Sequence, residues 1–152
     1  MPVFKTERHV DVPPDVAFSV AADVASYKQF LPLVSRSVIR GVKTQTDAGE
    51  TFAAELAVAY PKLGLSESFV SLVTTDNDNY VVRAISNDKP FRALEAKWTI
   101  TPASGGSTVA IAIDYSFRNP LLQLVASGLM DMAVQKIMTA FEARAKAKAK
   151  QD

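Results

Sequence analysis

The sequence contains no cysteine, only one histidine, His9, and only one tryptophan, Trp98. The absence of cysteine excludes disulfides, thiolate metal sites and a cysteine nucleophile. His9 lies beside Arg8 in the first predicted strand, where a lone histidine is more typical of an edge or surface residue than of a catalyst. No Ser-His-Asp triad can be assembled without it. The sequence therefore shows no recognisable catalytic constellation, and we expect a protein that is not an enzyme.

Metal ligands and phosphate-binding loops are also scarce. The segment Asp76-Asn77-Asp78-Asn79 resembles the start of a calcium loop, but the following glycine and the distal glutamate are missing. We interpret it as a turn. Gly105-Gly106 lies between two predicted strands with no helix after it, which is unlike a phosphate loop. The sequence thus predicts neither a metal site nor a catalytic cofactor.

Long apolar runs and a large net charge are absent as well. The net charge is +1, which gives no global attraction to nucleic acid. No apolar run approaches the roughly 18–20 residues that span a bilayer, and residues 1–8 lack the layout of a secretory signal, so we expect a cytoplasmic protein. The one basic cluster, from Arg144 to Lys150, is either a solvated helix end or a weak attraction for anionic lipid or RNA.

A chain of 152 residues, 48% of them hydrophobic, suits one domain over residues 1–152 with a sizeable core. The order of predicted elements is β-α-α-β-β-β-β-β-β-α. A first strand from Val3 to Val12 precedes a short helix opened by Pro13-Pro14-Asp15, and Ser26 is expected to cap a second short helix that Pro32 ends. The other strands are Ser35–Lys43, Glu50–Tyr60, Leu65–Thr74, Tyr80–Ser86, Phe91–Thr101 and Thr108–Phe117.

The last strand and the last helix have the clearest patterns. Thr108–Phe117 alternates apolar and polar residues, so one face is covered and the other is solvated. Asn119 is a favoured N-cap and Pro120 suits the first helical position, which predicts the start of one long helix. Apolar residues at steps of three or four on this helix should face the sheet: Leu122, Val125, Leu129, Ala133, Ile137 and Phe141.

Further apolar residues widen that stripe, and three of them are the flexible methionine: Leu121, Leu124, Met130, Met132, Val134 and Met138. Two interpretations stay open, a thick core helix or a helix that contacts both the sheet and an apolar ligand. Alanines among large residues in Phe52–Tyr60 and Leu94–Ile100 are compatible with either. Hairpin-joined antiparallel strands with helices on one face predict an α+β fold, with the sheet curved around the long C-terminal helix.

Four segments resemble the coenzyme Q-binding protein family of START-like, helix-grip proteins. They are Ser26–Pro32, Glu55–Pro61, Phe91–Trp98 and the run from Tyr115 to Ala145. The resemblance implies a helix-grip START/Bet v 1-like fold of about seven strands. It also implies ubiquinone or a related polyprenyl lipid bound under the C-terminal helix, in support of respiratory electron transfer. The family includes bacterial ribosome-association toxins, and its broader superfamily carries the label polyketide cyclase/dehydrase.

The same resemblance implies a cavity lined mostly by apolar side chains. The expected ligand-binding residues are Leu56, Val58, Trp98, Ile113, Tyr115, Phe117, Val125, Leu129, Met130, Ala133 and Ile137. Trp98 and Tyr115 are either core residues or contribute a polar atom that orients a quinone head group. Glu67 and Arg83 either reach the cavity mouth or lie on the surface.

Two other functions remain open. One is a ribosome-associated regulator that uses the basic tail, and the other is a cyclase or hydrolase with Glu67, Asp114 or Tyr115 as its acid or base. For a lipid carrier we also expect transient contact with the inner face of a membrane. Gly128 either loosens the helix as a gate or permits close packing on the sheet, and the Pro61-Lys62-Leu63-Gly64 loop is a second candidate edge.

Overall fold

The computed structural model describes residues 3–61 and 65–151. The predicted order of seven strands and three helices, and the α+β fold with a sheet curved around a long C-terminal helix, are confirmed. The elements are β1 (Val3–Val10), α1 (Pro14–Ala22), a 3-10 turn (Val24–Ser26), α2 (Tyr27–Phe30), β2 (Val34–Gln45), β3 (Glu50–Tyr60), β4 (Leu65–Asp76), β5 (Val81–Ser86), β6 (Phe91–Ala103), β7 (Gly106–Phe117) and α3 (Pro120–Gln151).

The seven strands form one antiparallel sheet in the order β1-β7-β6-β5-β4-β3-β2. Strands β2 to β7 follow one another as neighbours, and β1 pairs with β7 from Val3 opposite Asp114 to Val10 opposite Ser107. Register shifts occur twice in β2 and once at the start of β6. Such irregularities bend a strand and increase its twist, which helps the sheet to curve around α3.

Helix α3 begins as its sequence predicts. The Asn119 side-chain oxygen accepts hydrogen bonds from the backbone N–H of Leu121 at 2.9 Å and of Leu122 at 3.4 Å. These two bonds satisfy donors that a helix otherwise leaves without partners. From Pro120 the helix continues for 32 residues.

The distal half of α3 is the part that packs most closely on the rest of the fold. Its four most buried side chains are Val134, Met138, Phe141 and Ala145, each at most 2% exposed. The Phe141 ring stacks on Trp98 with ring centroids 4.8 Å apart. Arg8 of the edge strand β1 donates hydrogen bonds to Thr139 and Gln135, both at 3.1 Å, which ties the sheet edge to the same half of the helix.

The buried face of α3 differs in part from the predicted stripe. Phe141 is buried as expected, but Leu122, Val125, Leu129, Ala133 and Ile137 are only half-buried. Val134 and Met138, assigned to the margin of the stripe, are among the most buried residues of the helix. The difference arises because cavities separate the proximal half of the helix from the sheet, so only the distal positions reach close packing.

Two predictions for the first 30 residues differ from the structure. Strand β1 ends at Val10 rather than Val12. Pro14 opens α1 and Ser26 stands at the N-cap of α2, both as predicted, but the Ser26 side chain makes no capping bond to α2 and donates a hydrogen bond to Asp23 Oδ2 at 2.7 Å. His9 is exposed on the edge strand, as expected, with Nε2 at 2.9 Å from Asp11 Oδ1.

A turn follows β4 as predicted, with Asp76 as the last residue of the strand and the turn over residues 77–80. The Asp76 carboxylate accepts hydrogen bonds from the backbone N–H of Asp78 and Asn79 and from the Asn79 side-chain amide. The side-chain bond from Asn79 holds the pKa of Asp76 below its usual range. Tyr80 has φ +55° and therefore lies outside β5, which begins one residue later than predicted.

Helix α3 is also long and apolar enough, by length and composition alone, to cross a membrane. The sequence has no uninterrupted apolar run of that length, but the few polar residues in the proximal half are spread among leucine, alanine, valine and methionine. Little of this segment is buried. Leu121 is 68% exposed and Leu124 is 71% exposed. The proximal half of α3 thus presents apolar side chains that the fold does not cover.

Candidate functional site

Two apolar cavities lie between the sheet and α3. We call them the inner cavity, of about 240 Å³, and the outer cavity, of about 220 Å³. Together they fall within the range of about 300–1,000 Å³ typical of small-molecule sites. Six side chains line both cavities, so the two spaces are direct neighbours: Val34, Val58, Phe91, Phe117, Met130 and Ile137.

Short side chains on the covered face of the sheet account for the inner cavity. Ala84 of β5 pairs with Ala96 of β6, and both line the cavity. Ser71 of β4 pairs with Ala54 of β3, and Ser71 also lines it. Because these side chains are short, the middle of the sheet does not fill the space beneath α3. The alternation of small and large residues in the sequence thus reflects a cavity and not a solid core.

The outer cavity lies nearer the start of α3. The loop between α2 and β2 contributes Pro32 and Leu33, and the helix contributes Leu122, Ala126 and Leu129. Leu33 has φ +72°, and its carbonyl oxygen accepts a hydrogen bond of 2.8 Å from the backbone N–H of Ala59. This bond holds the loop against β3, which places Leu33 in the cavity wall.

Ten of the eleven expected ligand-binding residues line these cavities. Leu56, Trp98, Ile113 and Tyr115 line the inner cavity, Leu129 and Ala133 line the outer one, and Val58, Phe117, Met130 and Ile137 line both. The exception is Val125, which lines neither cavity among the described residues. It lies at the edge of the cavity-facing stripe, on the side of the exposed Leu121 and Leu124. That the ten bind a ligand stays a prediction.

Several lining residues lie outside the expected set. Nine of those lining the inner cavity come from the α1–β2 region and from β4 and β5: Val24, Tyr27, Leu31, Val34, Phe69, Ser71, Val73, Val82 and Ala84. The residues of β4 and β5 could have been predicted from the period of two in these strands, since positions 69, 71 and 73 share one face. The residues from the α1–β2 region lie in short helices and loops, where no such period exists.

Polar contacts tie the proximal half of α3 to β7. The Tyr115 hydroxyl donates a hydrogen bond to Ser127 Oγ at 3.2 Å. The backbone N–H of Phe117 donates to Gln123 Oε1 at 2.7 Å, and the Gln123 amide is 3.4 Å from the same Ser127 oxygen. We call Tyr115, Gln123 and Ser127 the polar clamp. It places the Tyr115 hydroxyl at the helix side of the inner cavity.

Tyr27 and Trp98 form the deep end of the inner cavity. The Tyr27 hydroxyl donates to the Ala21 carbonyl oxygen. Burial raises the pKa of Tyr27 well above its ordinary value, against the opposing effect of a hydrogen bond with the Trp98 side chain. The phenol therefore stays neutral and serves as a structural donor. Trp98 stacks on Phe141 and is 6% exposed, so its position matches the expected core role.

Few charged groups face the cavities. Glu67 pairs across the sheet with Val58 and lines the outer cavity. Arg83 lies on the opposite face of the sheet in an ion pair with Glu95 at 3.0 Å, so it does not reach the mouth. Asp114 also lies on that outer face, opposite Glu95, and its Oδ1 has no hydrogen-bond partner within the described residues.

Of the three residues considered as an acid or base, Glu67 and Tyr115 line the cavities, whereas Asp114 lies on the outer face of the sheet. Within residues 3–61 and 65–151 no group of three or more metal-ligating side chains occurs. The site is an apolar container with one carboxylate, Glu67, lining the outer cavity and two phenols, Tyr27 and Tyr115, lining the inner one.

Gly128 lies on the exposed side of α3. A Cβ atom there would meet no described atom within 4 Å, so the interpretation that Gly128 permits close packing on the sheet is wrong. The second candidate edge, the Pro61-Lys62-Leu63-Gly64 loop, has residues 62–64 outside the described residues.

Comparison with known proteins identifies the family. The sequence profile described as polyketide cyclase/dehydrase and lipid transport matches residues 10–142. The chain belongs to this family. A ribosome association toxin RatA of Rickettsia prowazekii is 29% identical over 136 residues, covering 88% of each chain. The mitochondrial coenzyme Q-binding protein coq10 of Schizosaccharomyces pombe is 28% identical over 149 residues, covering 97% of this chain and 88% of that protein.

Solved structures share the fold of this family member over nearly its whole length. A Thermus thermophilus protein superposes with a TM-score of 0.83 at 21% identity, covering 96% of this chain and 98% of the other. An 18 kDa protein from Caulobacter crescentus gives 0.81 at 25% identity, covering 97% of each chain. The Zhui aromatase/cyclase from a Streptomyces species gives 0.79 at 14% identity, covering 95% of this chain and 93% of that one.

The small residues of the sheet should control the cavity volume. We expect Ala96→Leu to weaken binding of an apolar dye such as Nile red several-fold, because the larger side chain occupies the inner cavity, without lowering the melting temperature. Ala112→Leu, the same change on the outer face of the neighbouring strand, is the control and should leave dye binding unchanged. Equal dye binding by wild type and Ala96→Leu would contradict the cavity assignment.

Proposed function

We propose that this protein binds and carries ubiquinone or a related polyprenyl quinone in the two cavities beneath α3, in support of respiratory electron transfer. The observation that carries the proposal is the pair of adjoining cavities with almost wholly apolar walls. Membership of a family that includes lipid transport, and the similarity to coenzyme Q-binding proteins from fission yeast and Xenopus laevis, support it.

The chemistry of the cavities suits a polyprenyl quinone. An isoprenoid tail has no hydrogen-bonding groups, so apolar burial at about 0.8 kcal/mol per CH₂ supplies its affinity. A quinone head group carries carbonyl oxygens, which need donors when they are buried. Ser71 and Tyr115 both line the inner cavity, but the single hydroxyl proton of Tyr115 already goes to Ser127 Oγ, so Ser71 is the donor that we assign to this role. Selectivity would then rest on few polar contacts and affinity on many apolar ones.

A short-tail quinone tests the proposal, because the only tryptophan, Trp98, lines the inner cavity. Titration of lipid-free protein with decylubiquinone should quench Trp98 fluorescence saturably. Met130 lines both cavities, so Met130→Asp should abolish the quenching by placing a charge in the apolar wall. Met132→Asp is the control, since Met132 is 38% exposed on the same helix, and it should quench like wild type.

Protein purified from its native host should also carry extractable quinone, measured by mass spectrometry of the organic extract. A normal melting transition of Met130→Asp would show that its loss of binding is not a loss of folding. Repeated recovery of quinone-free protein, together with linear, unsaturable quenching, would refute the proposal.

Gly128 tests whether flexibility of α3 limits lipid exchange. Because the added methyl group meets open space, Gly128→Ala should stabilise the helix by about 1 kcal/mol. If the proximal half must loosen to admit a lipid, the same variant should transfer quinone between vesicles more slowly while binding decylubiquinone like wild type. A wild-type transfer rate in the stabilised variant would exclude a gate at this position.

Ribosome binding is the second candidate, because relatives named ribosome association toxin RatA align over most of the chain. Two basic side chains of the tail are engaged in contacts within the fold. Arg144 donates a hydrogen bond to Gln29 and lies over the Phe30 ring, and Lys146 forms an ion pair with Glu142. Lys148 and Lys150 remain for phosphate contacts. Sedimentation with ribosomal subunits at low and high salt separates the candidates, since phosphate contacts make binding salt-dependent and a pure lipid carrier stays in the supernatant.

A further inference from the structure

One face of α3 points away from both the sheet and the cavities. Leu121, Leu124 and Met132 are 68%, 71% and 38% exposed, and the helical period places Gly128 on the same face, with the half-buried Val125 at its margin toward the cavities. From Leu121 to Met132 this apolar strip is about 17 Å long at 1.5 Å per residue. Exposed leucines in a continuous strip are unlike singly scattered surface apolar residues, and they indicate an interaction surface.

Positive charge flanks the distal end of this strip. A surface groove between α2 and α3 is lined by Lys28 and Lys136, with Phe30 and Met132 in its apolar part. Neither lysine forms an ion pair within the part of the chain that the structure describes, and both are exposed. Asp131 is the one acidic residue lining the groove, within the described residues. The apolar strip thus continues into a region with a surplus of positive charge.

The same stretch of helix also forms the wall of the outer cavity. Leu122, Ala126 and Leu129 line that cavity, and they alternate along α3 with the exposed Leu121 and Leu124. The exposed strip and the cavity wall are therefore adjoining flanks of one helix. A surface that contacts the strip would also lie beside the entrance to the cavity.

We propose that this surface, consisting of Leu121, Leu124, Val125 and Met132 with Lys28 and Lys136, docks on a bilayer that contains anionic phospholipid. We call it the docking face. Helices that lie in a membrane interface combine an apolar strip with lysines that attract anionic head groups, and the docking face has both. Membrane binding by the docking face is inferred from the residues of the face alone. The further step, in which a lipid passes from the bilayer into the outer cavity at this face, rests on the proposed function, because only an apolar ligand would take that route.

Charge and ligand chemistry favour a bilayer over a protein partner as the occupant. Two exposed lysines at the distal end of the apolar strip complement an anionic, apolar-cored surface, and the outer cavity on the adjoining flank of the helix suits a molecule that itself resides in membranes. In the docked position α3 would lie along the interface with its distal half still packed on the sheet. The helix would not need to leave the fold.

Vesicle flotation of the full chain tests the apolar part. Leu121→Gln with Leu124→Gln should weaken binding to phosphatidylcholine/phosphatidylglycerol vesicles about tenfold or more, because the apolar contact is lost while helix propensity is kept. Val42→Gln with Leu72→Gln is the control, since these side chains are 89% and 47% exposed elsewhere on the sheet. Wild-type binding by the α3 variant would overturn the proposal.

Charge reversal tests the electrostatic part. Lys28→Glu with Lys136→Glu should remove most of the preference for phosphatidylglycerol over pure phosphatidylcholine vesicles, and added salt should do the same to wild type. Lys5→Glu with Lys97→Glu changes the net charge equally on the outer face of the sheet and should keep the preference. An equal loss in both double variants would mean a general charge effect and would overturn the assignment to this face.

Decylubiquinone titration without vesicles keeps this proposal separate from the proposed function. All four double variants should quench Trp98 like wild type, because none changes a cavity wall. If wild type binds vesicles through the docking face but shows no saturable quenching, the docking stands and quinone carriage fails. If quenching is normal and the α3 variant still floats with vesicles, quinone binding stands and the docking face is refuted.

Discussion

The fold depends on the packing of the distal half of α3 into the curved sheet. Phe141 stacks on Trp98, and Val134, Met138 and Ala145 are buried beside it. This contact fixes one half of a 32-residue helix and leaves the other half to be held by the Asn119 cap and the polar clamp. The proximal half therefore crosses over the curved sheet without packing closely on it. The cavities are the space that remains between this half of the helix and the sheet.

Periodic segments made most of the fold predictable from the sequence. The period of two in β3, β6 and β7, the Asn119-Pro120 start of α3 and the turn after Asp76 agree with the structure, because each depends on local chemistry. Ten of the eleven expected ligand-binding residues lie on these strands and on α3 and line the cavities. Prediction was weaker where tertiary contacts decide the outcome. Val125 fits the helical period as well as Leu129 does, and only the distance between helix and sheet separates them.

Several cavity-lining residues that the sequence did not predict lie in irregular segments. Tyr27, Leu31 and Val34 line the inner cavity from a short helix, a loop and the start of an edge strand, where neither periodicity nor a turn signal predicts which side chain faces inward. Arg83 and Asp114 show the opposite case. Their strands were correctly predicted, and the alternation of their neighbours places both on the outer face. Members of this fold, including an aromatase/cyclase, thus share a scaffold, while function depends on which side chains reach the cavity.

The backbone conformation of Leu33 shows that the loop before β2 keeps an apolar side chain in the wall of the outer cavity at an energetic cost. A leucine in the left-handed region costs roughly 1–2 kcal/mol compared with its ordinary conformations, a cost that glycine at the same position would avoid. The loop nevertheless holds a large apolar side chain there, with its carbonyl bonded to Ala59 and its side chain in the cavity wall. Part of the folding energy is thus held as local backbone strain, and the cavity wall is the only described feature of the loop that a glycine could not supply.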